Sequence, residues 1–512
     1  MPTPTSGPQQ LRGLALRTLF PGFAGTDIPP QRLLELIEEG LGGVVLFGRN
    51  VDPARGDAGV AALTARLRTA RPDLIVAVDE EGGDVTRLDA ATGSLYPGSA
   101  ALGAADDPRL TYEVAAALGA RLRACGIDLN FAPVADVDAD PRNPVIGVRA
   151  FGADPHLAAR HTAAFVRGQQ ARGVAATVKH FPGHGGTAED SHVTLPVLEV
   201  SRELLTEREL VPFRAALAAG TKVVMTAHIR IPALDEEHPA TLSPAIITGL
   251  LRIELGFDGL VMTDGLDMAA IATTIGHQEG AVRSLMAGVD AICIGGDSTD
   301  PRLVDDIADG IVAAVENGRL SPDRLAAAAA KVQALARWTG LPVHSDGTVN
   351  GEPSGLRAAR RAVTARGVVA LPSPPLVLEL QDEPSLAAGS VPWGVGRPLA
   401  ARLPGTVVVP VLETGPPVQA VIAQHPARPV VVAVRGIRRR PWQLGAVAAV
   451  RELRPDAVVV DHELSDPGQF EPPYILTFGA SQVAAQAAAD LLSAATPAAA
   501  PPSDAVPPSD AV

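Results

Sequence analysis

The sequence predicts an α/β protein: a (β/α)8 TIM-type barrel followed by a smaller α/β sandwich domain. Three observations carry this. Short apolar runs alternate with amphipathic helical stretches over residues 10–345, the pattern of βαβ units around a parallel sheet. Several runs close on a polar residue, namely Asp79, Lys179, His180, His228 and Asp264. A barrel gathers its strand ends on one face, where active sites are built, whereas a doubly wound sheet collects them at a switch point. A glycine- and proline-bearing stretch, "GTVNGEPSGLRAARRA" (347–362), then leads into a second set of apolar runs, as a linker entering a new unit would.

In chain order the barrel strands are expected at 42–47, 74–79, 128–133, 176–181, 222–229, 259–264 and 291–296, with an eighth near "ALRTLF" (15–20). Stretches such as "DPRLTYEVAAALGARLRAC" and "SRELLTERELVPFRAALAAG" supply helices between them. The domains follow: barrel 10–345, linker 346–358, second domain 359–495. In the second domain, strands are expected at "GVVAL" (367–371), "PLVLEL" (375–380), "TVVVPVL" (406–412), "PVVVAVRG" (429–436) and "DAVVVDHEL" (456–464). The end, 496–512, repeats "PPSDAV" and is proline-rich without a packing face, the composition of a disordered tail.

Composition excludes several classes. With 512 residues, 46% hydrophobic and 20% charged, the chain can bury more than one sizeable core. A net charge of -14 argues against a nucleic-acid partner, which requires a basic face. No apolar stretch is long enough to span a membrane, and no basic start followed by an apolar run marks a leader. A cytoplasmic location is therefore expected. The two cysteines, Cys125 and Cys293, sit in apolar text and read as buried thiols.

The chemistry concentrates in "KHFPGHGGTAEDSH" (179–192). It holds His180, His184 and His192, Asp190, and Lys179, one of only three lysines in the chain. Pro182, Gly183, Gly185 and Gly186 bar a helix here, so the stretch is a loop leaving a strand, where catalytic groups tend to sit. Three readings of the residues stand open. His180, His184, His192 and Asp190 could hold a metal, although the H-E-x-x-H helix pattern is absent. The histidines could simply brace a tight loop, the better reading for His184. Or Asp190 could orient His192 as an acid/base, facing a nucleophile elsewhere. Asp264, closing the apolar strand "GLVMTD", is the nucleophile candidate; Asp267 reads as the cap of the following helix. A carboxylate opposite a proton donor suits glycoside cleavage with retention, with histidine in the place of the usual second carboxylate.

At this point the sequence resembles glycoside hydrolase family 3, and within it the bacterial β-N-acetylhexosaminidase branch. The resemblance is carried by "VDEEGGDVTRL" (78–88), "NFAPVADVDADPRNPVIGVRAFG" (130–152), "KHFPGHGGTAEDSH" (179–192), "VVMTAHI" (223–229) and "PATLSPAIITGLLRIELGFDGLVMTDGLDM" (239–268). It implies Asp264 as nucleophile, His192 as acid/base with Asp190 as its partner, and Asp79, Arg87, Arg149, Lys179 and His180 as substrate-binding. It implies no cofactor and no metal. The substrate it implies is a terminal β-linked N-acetylglucosamine on a small glycan, in peptidoglycan or chitin-fragment turnover.

Where the family usually has Gln, this chain has Glu80, whose charge is expected near the site as a tuner of sugar preference; the family often has Ala or Asp in the place of Gly265. The second domain resembles the family's C-terminal domain more weakly, best over 477–492. Alternatives within reach of the same residues are a phosphorylase, because a neutral His192 base admits phosphate where a carboxylate would repel it, and a β-glucosidase or β-xylosidase. A metal-dependent barrel hydrolase and a non-enzymatic sugar-binding protein lie further off.

Overall fold

The computed structural model describes residues 7–190, 194–296, 299–342, 353–381, 389–464 and 469–494. Eight parallel strands close a barrel: β1 (Leu19–Pro21), β2 (Gly43–Leu46), β3 (Ile75–Val78), β4 (Leu129–Asn130), β5 (Ala175–Phe181), β6 (Val223–Thr226), β7 (Leu260–Thr263) and β8 (Ile292–Ile294). Neighbours pair in sequence order from β2 to β7. β1 pairs with β8, Phe20 opposite Cys293, and bridges Gly22–Val45 and Met262–Ala291 complete the ring.

Alternation along each strand sorts the side chains. Val44, Leu46, Val76, Val78, Val224 and Val261 face out into the layer beneath the helices. Val45, Ile75, Ala77, Leu129, Met225 and Met262 face in and fill the barrel, so the interior is a packed core rather than a pore. Val332 and Leu335, on the helix Pro322–Thr339, join that inner cluster.

Several strand boundaries differ from expectation: β6 ends at Thr226 rather than 229, so His228 lies beyond it, and β8 spans only 292–294 of 291–296. Residues 15–17 finish a helix (Pro8–Arg17), and β1 starts only at Leu19. β4 keeps two ladder residues of the six expected, because the chain beyond it leaves to run beside β5, where Ala135 N–H donates to Lys179 O at 2.6 Å.

The second domain has a six-stranded sheet: β9 (Thr364–Arg366), β10 (Leu376–Leu380), β11 (Val407–Val411), β12 (Val430–Val434), β13 (Val458–Asp461) and β14 (Tyr474–Leu476), in spatial order β9-β14-β13-β12-β10-β11. Only β9 is antiparallel. Both faces are covered, with Leu378, Val432 and Val459 in one cluster and Val377, Val431 and Val460 in the other, as a parallel sheet requires. The expected strand at 367–371 is instead a loop: Gly367 sits at φ +77°, and the edge is formed by 364–366 and by 474–476, which no apolar run announced.

A helix, Ser354–Ala362, begins inside the expected linker and packs on barrel helices Ser99–Ala105 and Pro108–Ala124. The domains are further tied by Asp84, which accepts from Ala480 N–H at 2.7 Å and pairs with Arg435 at 2.6 Å. The expected tail 496–512 lies outside the described residues.

Candidate active site

Strand ends deliver the polar groups. Asp79 follows β3, Lys179 and His180 lie near the end of β5, and Asp264 follows β7. With Arg87, Arg149, His184 and Asp267 they line one cavity of about 490 Å3 at the barrel mouth, floored by Phe131, Met225, Met268 and Cys293. That volume suits a small ligand held by a few convergent polar groups on an apolar bed.

A buried ion network forms one wall. Lys179 Nζ lies 2.6 Å from both Asp79 Oδ1 and Glu81 Oε1. Arg149 grips Glu81 with two nitrogens, at 2.7 and 2.9 Å, a fork geometry that fixes both partners. Arg87 Nη2 donates to Asp79 Oδ2 at 3.1 Å. Burial alone would raise the Glu81 carboxyl, but Arg149 and Lys179 overcome it and hold it well below the usual carboxylate range.

Asp136, fully buried, organises the start of the glycine loop. It accepts from the backbone N–H of His184 at 2.7 Å and faces His180 Nδ1 at 2.7 Å. Burial works against its charge, and His180 and His184 hold it low all the same. Its carboxylate therefore places the proton on His180 Nδ1 and leaves Nε2 toward the cavity, 3.5 Å from Arg149. His184 sits with Nδ1 2.8 Å from Thr187 Oγ1, and burial lowers its imidazole to about 4, so it is neutral in ordinary buffers. The glycines are required: a Cβ at Gly185 would stand 1.8 Å from Val137 O, and Gly183 has φ +129°.

The loop after β7 is held as firmly. Gly265 N–H donates to Asp264 Oδ1 at 2.8 Å. His228 Nε2 lies 3.0 Å from Gly265 O, and its Nδ1 2.8 Å from Thr241 Oγ1. A carbonyl only accepts, so His228 donates from Nε2 and orients the peptide next to Asp264. Asp267 does not cap a helix, contrary to expectation; its Oδ1 accepts from Gly295 N–H at 3.0 Å and ties the ends of β7 and β8 together. Burial, with Asp264, Asp267 and Asp79 adding to it, pushes the Cys293 thiol well above its usual range.

Glu80 also corrects an expectation. Its carboxyl does not line the cavity; it turns into its own loop, accepting from Arg87 N–H at 2.7 Å, Leu88 N–H at 2.9 Å and the Thr86 hydroxyl. It shapes the turn that presents Arg87 and carries no charge to the sugar pocket.

Asp190 lines a second, adjoining cleft between the domains rather than the first cavity. The two spaces share Val145, Ile146 and Arg149 as a common wall. His192 lies outside the described residues. Among the described residues, no three His, Cys, Asp or Glu side chains are grouped to hold a metal ion. The sequence assigned no site role to Asp136 or Glu81. Glu81 had a signal in its neighbour Asp79; Asp136, one of three aspartates at alternate positions in "ADVDAD", had none.

A pocket of this size at a barrel mouth, with Asp264 on one strand end and the cation-anchored Asp79 on another, has the carboxylates that glycoside cleavage needs. The chain belongs to glycosyl hydrolase family 3: residues 30–335 match the family's N-terminal domain. It is 41% identical over 295 residues to a beta-hexosaminidase of Xylella fastidiosa, covering 56% of this chain and 85% of that one. It is 34% identical over 347 residues to beta-hexosaminidase A of Pseudoalteromonas piscicida, covering 63% of this chain and 57% of that protein, so it spans little more than half of that relative's length. A family 3 beta-N-acetylglucosaminidase from Paenibacillus sp. superposes over both domains, with TM-score 0.83, 34% identity, and 94% of this chain and 96% of that chain covered.

Proposed function

We propose that the protein is a retaining exo-β-N-acetylglucosaminidase, removing a terminal β-linked N-acetylglucosamine through a covalent intermediate on Asp264. The observation that carries this is that Asp264, at a strand end, shares one cavity with Asp79, Arg87, Lys179 and His180, while Asp190 lines the adjoining cleft. The names of the relatives support the choice of sugar.

In this reading Asp264 attacks the anomeric carbon while His192, partnered by Asp190, gives its proton to the departing oxygen. His192 then takes a proton from water, whose oxygen displaces Asp264 with a second inversion. Asp79 keeps lone pairs for sugar hydroxyls even with Lys179 and Arg87 bound to it. Arg149 and Lys179 pin Glu81, so the wall is in place before substrate arrives. His180 presents Nε2 to the substrate. Turnover of peptidoglycan or chitin fragments in the cytoplasm is the setting we propose.

The test is product analysis by proton NMR on a nitrophenyl N-acetylglucosaminide with phosphate present. The reading expects free β-N-acetylglucosamine as the first product. Sugar 1-phosphate as the product would make the enzyme a phosphorylase, and first-formed α sugar would exclude retention. Turnover of glucosides in preference to N-acetylglucosaminides would move it to the β-glucosidase group.

A further inference from the structure

The glycine loop that begins at Gly183 and leads to Asp190 lies between two walls. One is Asp136 and its neighbours: Asp136 takes the His184 N–H, Gly185 abuts Val137 O, and Asn143 Nδ2 donates to His184 O at 2.9 Å. The other is a helix further along the chain. A turn of π-helix, Leu205–Glu209, runs into the α-helix Leu210–Ala218. Phe213 packs edge-on against Phe181 at the end of β5, with ring centroids 5.3 Å apart, and this seats the helix on the strand that carries Lys179 and His180. Residues four apart share a helix face, so Glu209, one turn before Phe213, is turned to the loop.

Glu209 is fully buried and abuts two of the loop's glycines. A Cβ at Gly183 would stand 2.8 Å from Glu209 Cβ and 2.9 Å from its Oε2. A Cβ at Gly186 would stand 3.1 Å from Arg208 Nη2 and 3.5 Å from Glu209 Oε1. Arg208 closes on that Oε1 with Nε and Nη2, both at 2.7 Å. Adjacent residues of a regular helix do not face each other; this pair forms at a π turn, a feature that gathers at functional sites.

The pair stands outside the sugar cavity, since neither residue lines it. Glu209 Oε2 makes no hydrogen bond. An unsatisfied buried oxygen costs stability, and the fold carries that cost where the side chain fills the space under Gly183. Asp190 is four residues past Gly186, so a shift of the loop at Gly186 is passed on to it.

We propose that Glu209, with Arg208, is a positioning residue for proton donation: the pair sets the seat of the loop that leads to the acid/base, without touching the sugar. The inference rests on the reading of His192, partnered by Asp190, as that acid/base.

The test compares kcat/KM for phenyl and 2,4-dinitrophenyl β-N-acetylglucosaminides in the full-length enzyme. The assay is run at about pH 6, below the value of about 7 to which burial pushes the Glu209 carboxyl, so that glutamine copies its shape and charge. Phenolate needs a proton to depart; dinitrophenolate leaves without one, so its rate reports the folded, nucleophile-competent fraction. The phenyl-to-dinitrophenyl ratio therefore isolates proton donation from loss of folded protein. It should fall about 10²-fold or more in His192→Ala, about tenfold in Glu209→Ala and about threefold in Arg208→Ala, and recover in Glu209→Gln. A ratio lowered in His192→Ala but unchanged in Glu209→Ala and Arg208→Ala would overturn the inference alone. A fall in Glu209→Gln as deep as in Glu209→Ala would overturn it as well, because filling the space under Gly183 would then be irrelevant. Should Glu209→Ala fail to fold, Arg208→Ala, whose side chain is 25% exposed, decides by itself. A ratio unchanged in His192→Ala would instead remove the acid/base reading, and the inference with it.

Discussion

The two spaces that meet beside Arg149 differ in how completely their charges are paired. In the barrel cavity Lys179, Arg149, Arg87, Asp79 and Glu81 are joined at 2.6–3.1 Å. The interdomain cleft has close pairs too, Arg435 with Asp84 at 2.6 Å and Arg439 with Glu463 at 3.2 Å, but there Arg438 and Asp138 stand 3.9 Å apart, and an oxygen of Asp138 and a nitrogen of His462 have no hydrogen bond. A wall built from closed ion pairs is held in place before any ligand arrives. The cleft keeps a buried oxygen and a buried nitrogen without hydrogen bonds, so its side chains are less tightly fixed. The pocket is preorganised and the cleft is less so.

Breaking the pocket should have the largest effects. Asp264→Asn keeps the shape and removes the nucleophile we propose, and kcat should drop by about 10³-fold or more in a nitrophenyl assay; a variant within tenfold of wild type would contradict the assignment. Next is Glu81→Gln, which strips Lys179 and Arg149 of a buried counter-charge. It should cost about 3 kcal/mol in urea unfolding. The folded-state carboxyl of Glu81 lies below its unfolded value, so its contribution is complete above the ordinary carboxylate range, near about pH 4.3, and is lost as pH falls below that. Wild-type stability should therefore fall on acidification more steeply than that of the variant.

A smaller effect is expected under the glycine loop. Glu209 is buried against Gly183 and Gly186 with its Oε2 unpartnered, and burial raises its carboxyl to about 7. Here the folded state binds the proton more tightly, so the contribution is present at low pH and is lost as pH rises through about 7. Thermal melts should show stability declining between about pH 4.5 and 7 and levelling off above that, and Glu209→Gln should flatten that slope.

Much of this architecture can be read from the chain because each barrel strand is an apolar run that stops on the residue it delivers. Asp79, Lys179, His180 and Asp264 announce themselves in this way. β4 did not, since its run "DLNFAP" leaves the ladder after two residues to flank β5. β14 did not either, because "YIL" is too short to stand out between prolines and "TFG". Asp136 escaped notice because its importance comes from two backbone N–H groups of a loop distant in sequence. Glu80 misled because a charge beside Asp79 in the text turns away from it in space. The interdomain cleft was beyond reach of the sequence, since Asp84 and Arg435 meet only once both domains have folded.

The most direct test of the whole account is to trap the intermediate. A 5-fluoro N-acetylglucosaminyl fluoride forms a glycosyl-enzyme faster than it releases it, and peptide mass spectrometry then locates the sugar. The account predicts one added fluoro-N-acetylglucosaminyl group on the peptide carrying Asp264, lost in Asp264→Asn. A label on another carboxylate, or full inactivation with no covalent adduct, would contradict it.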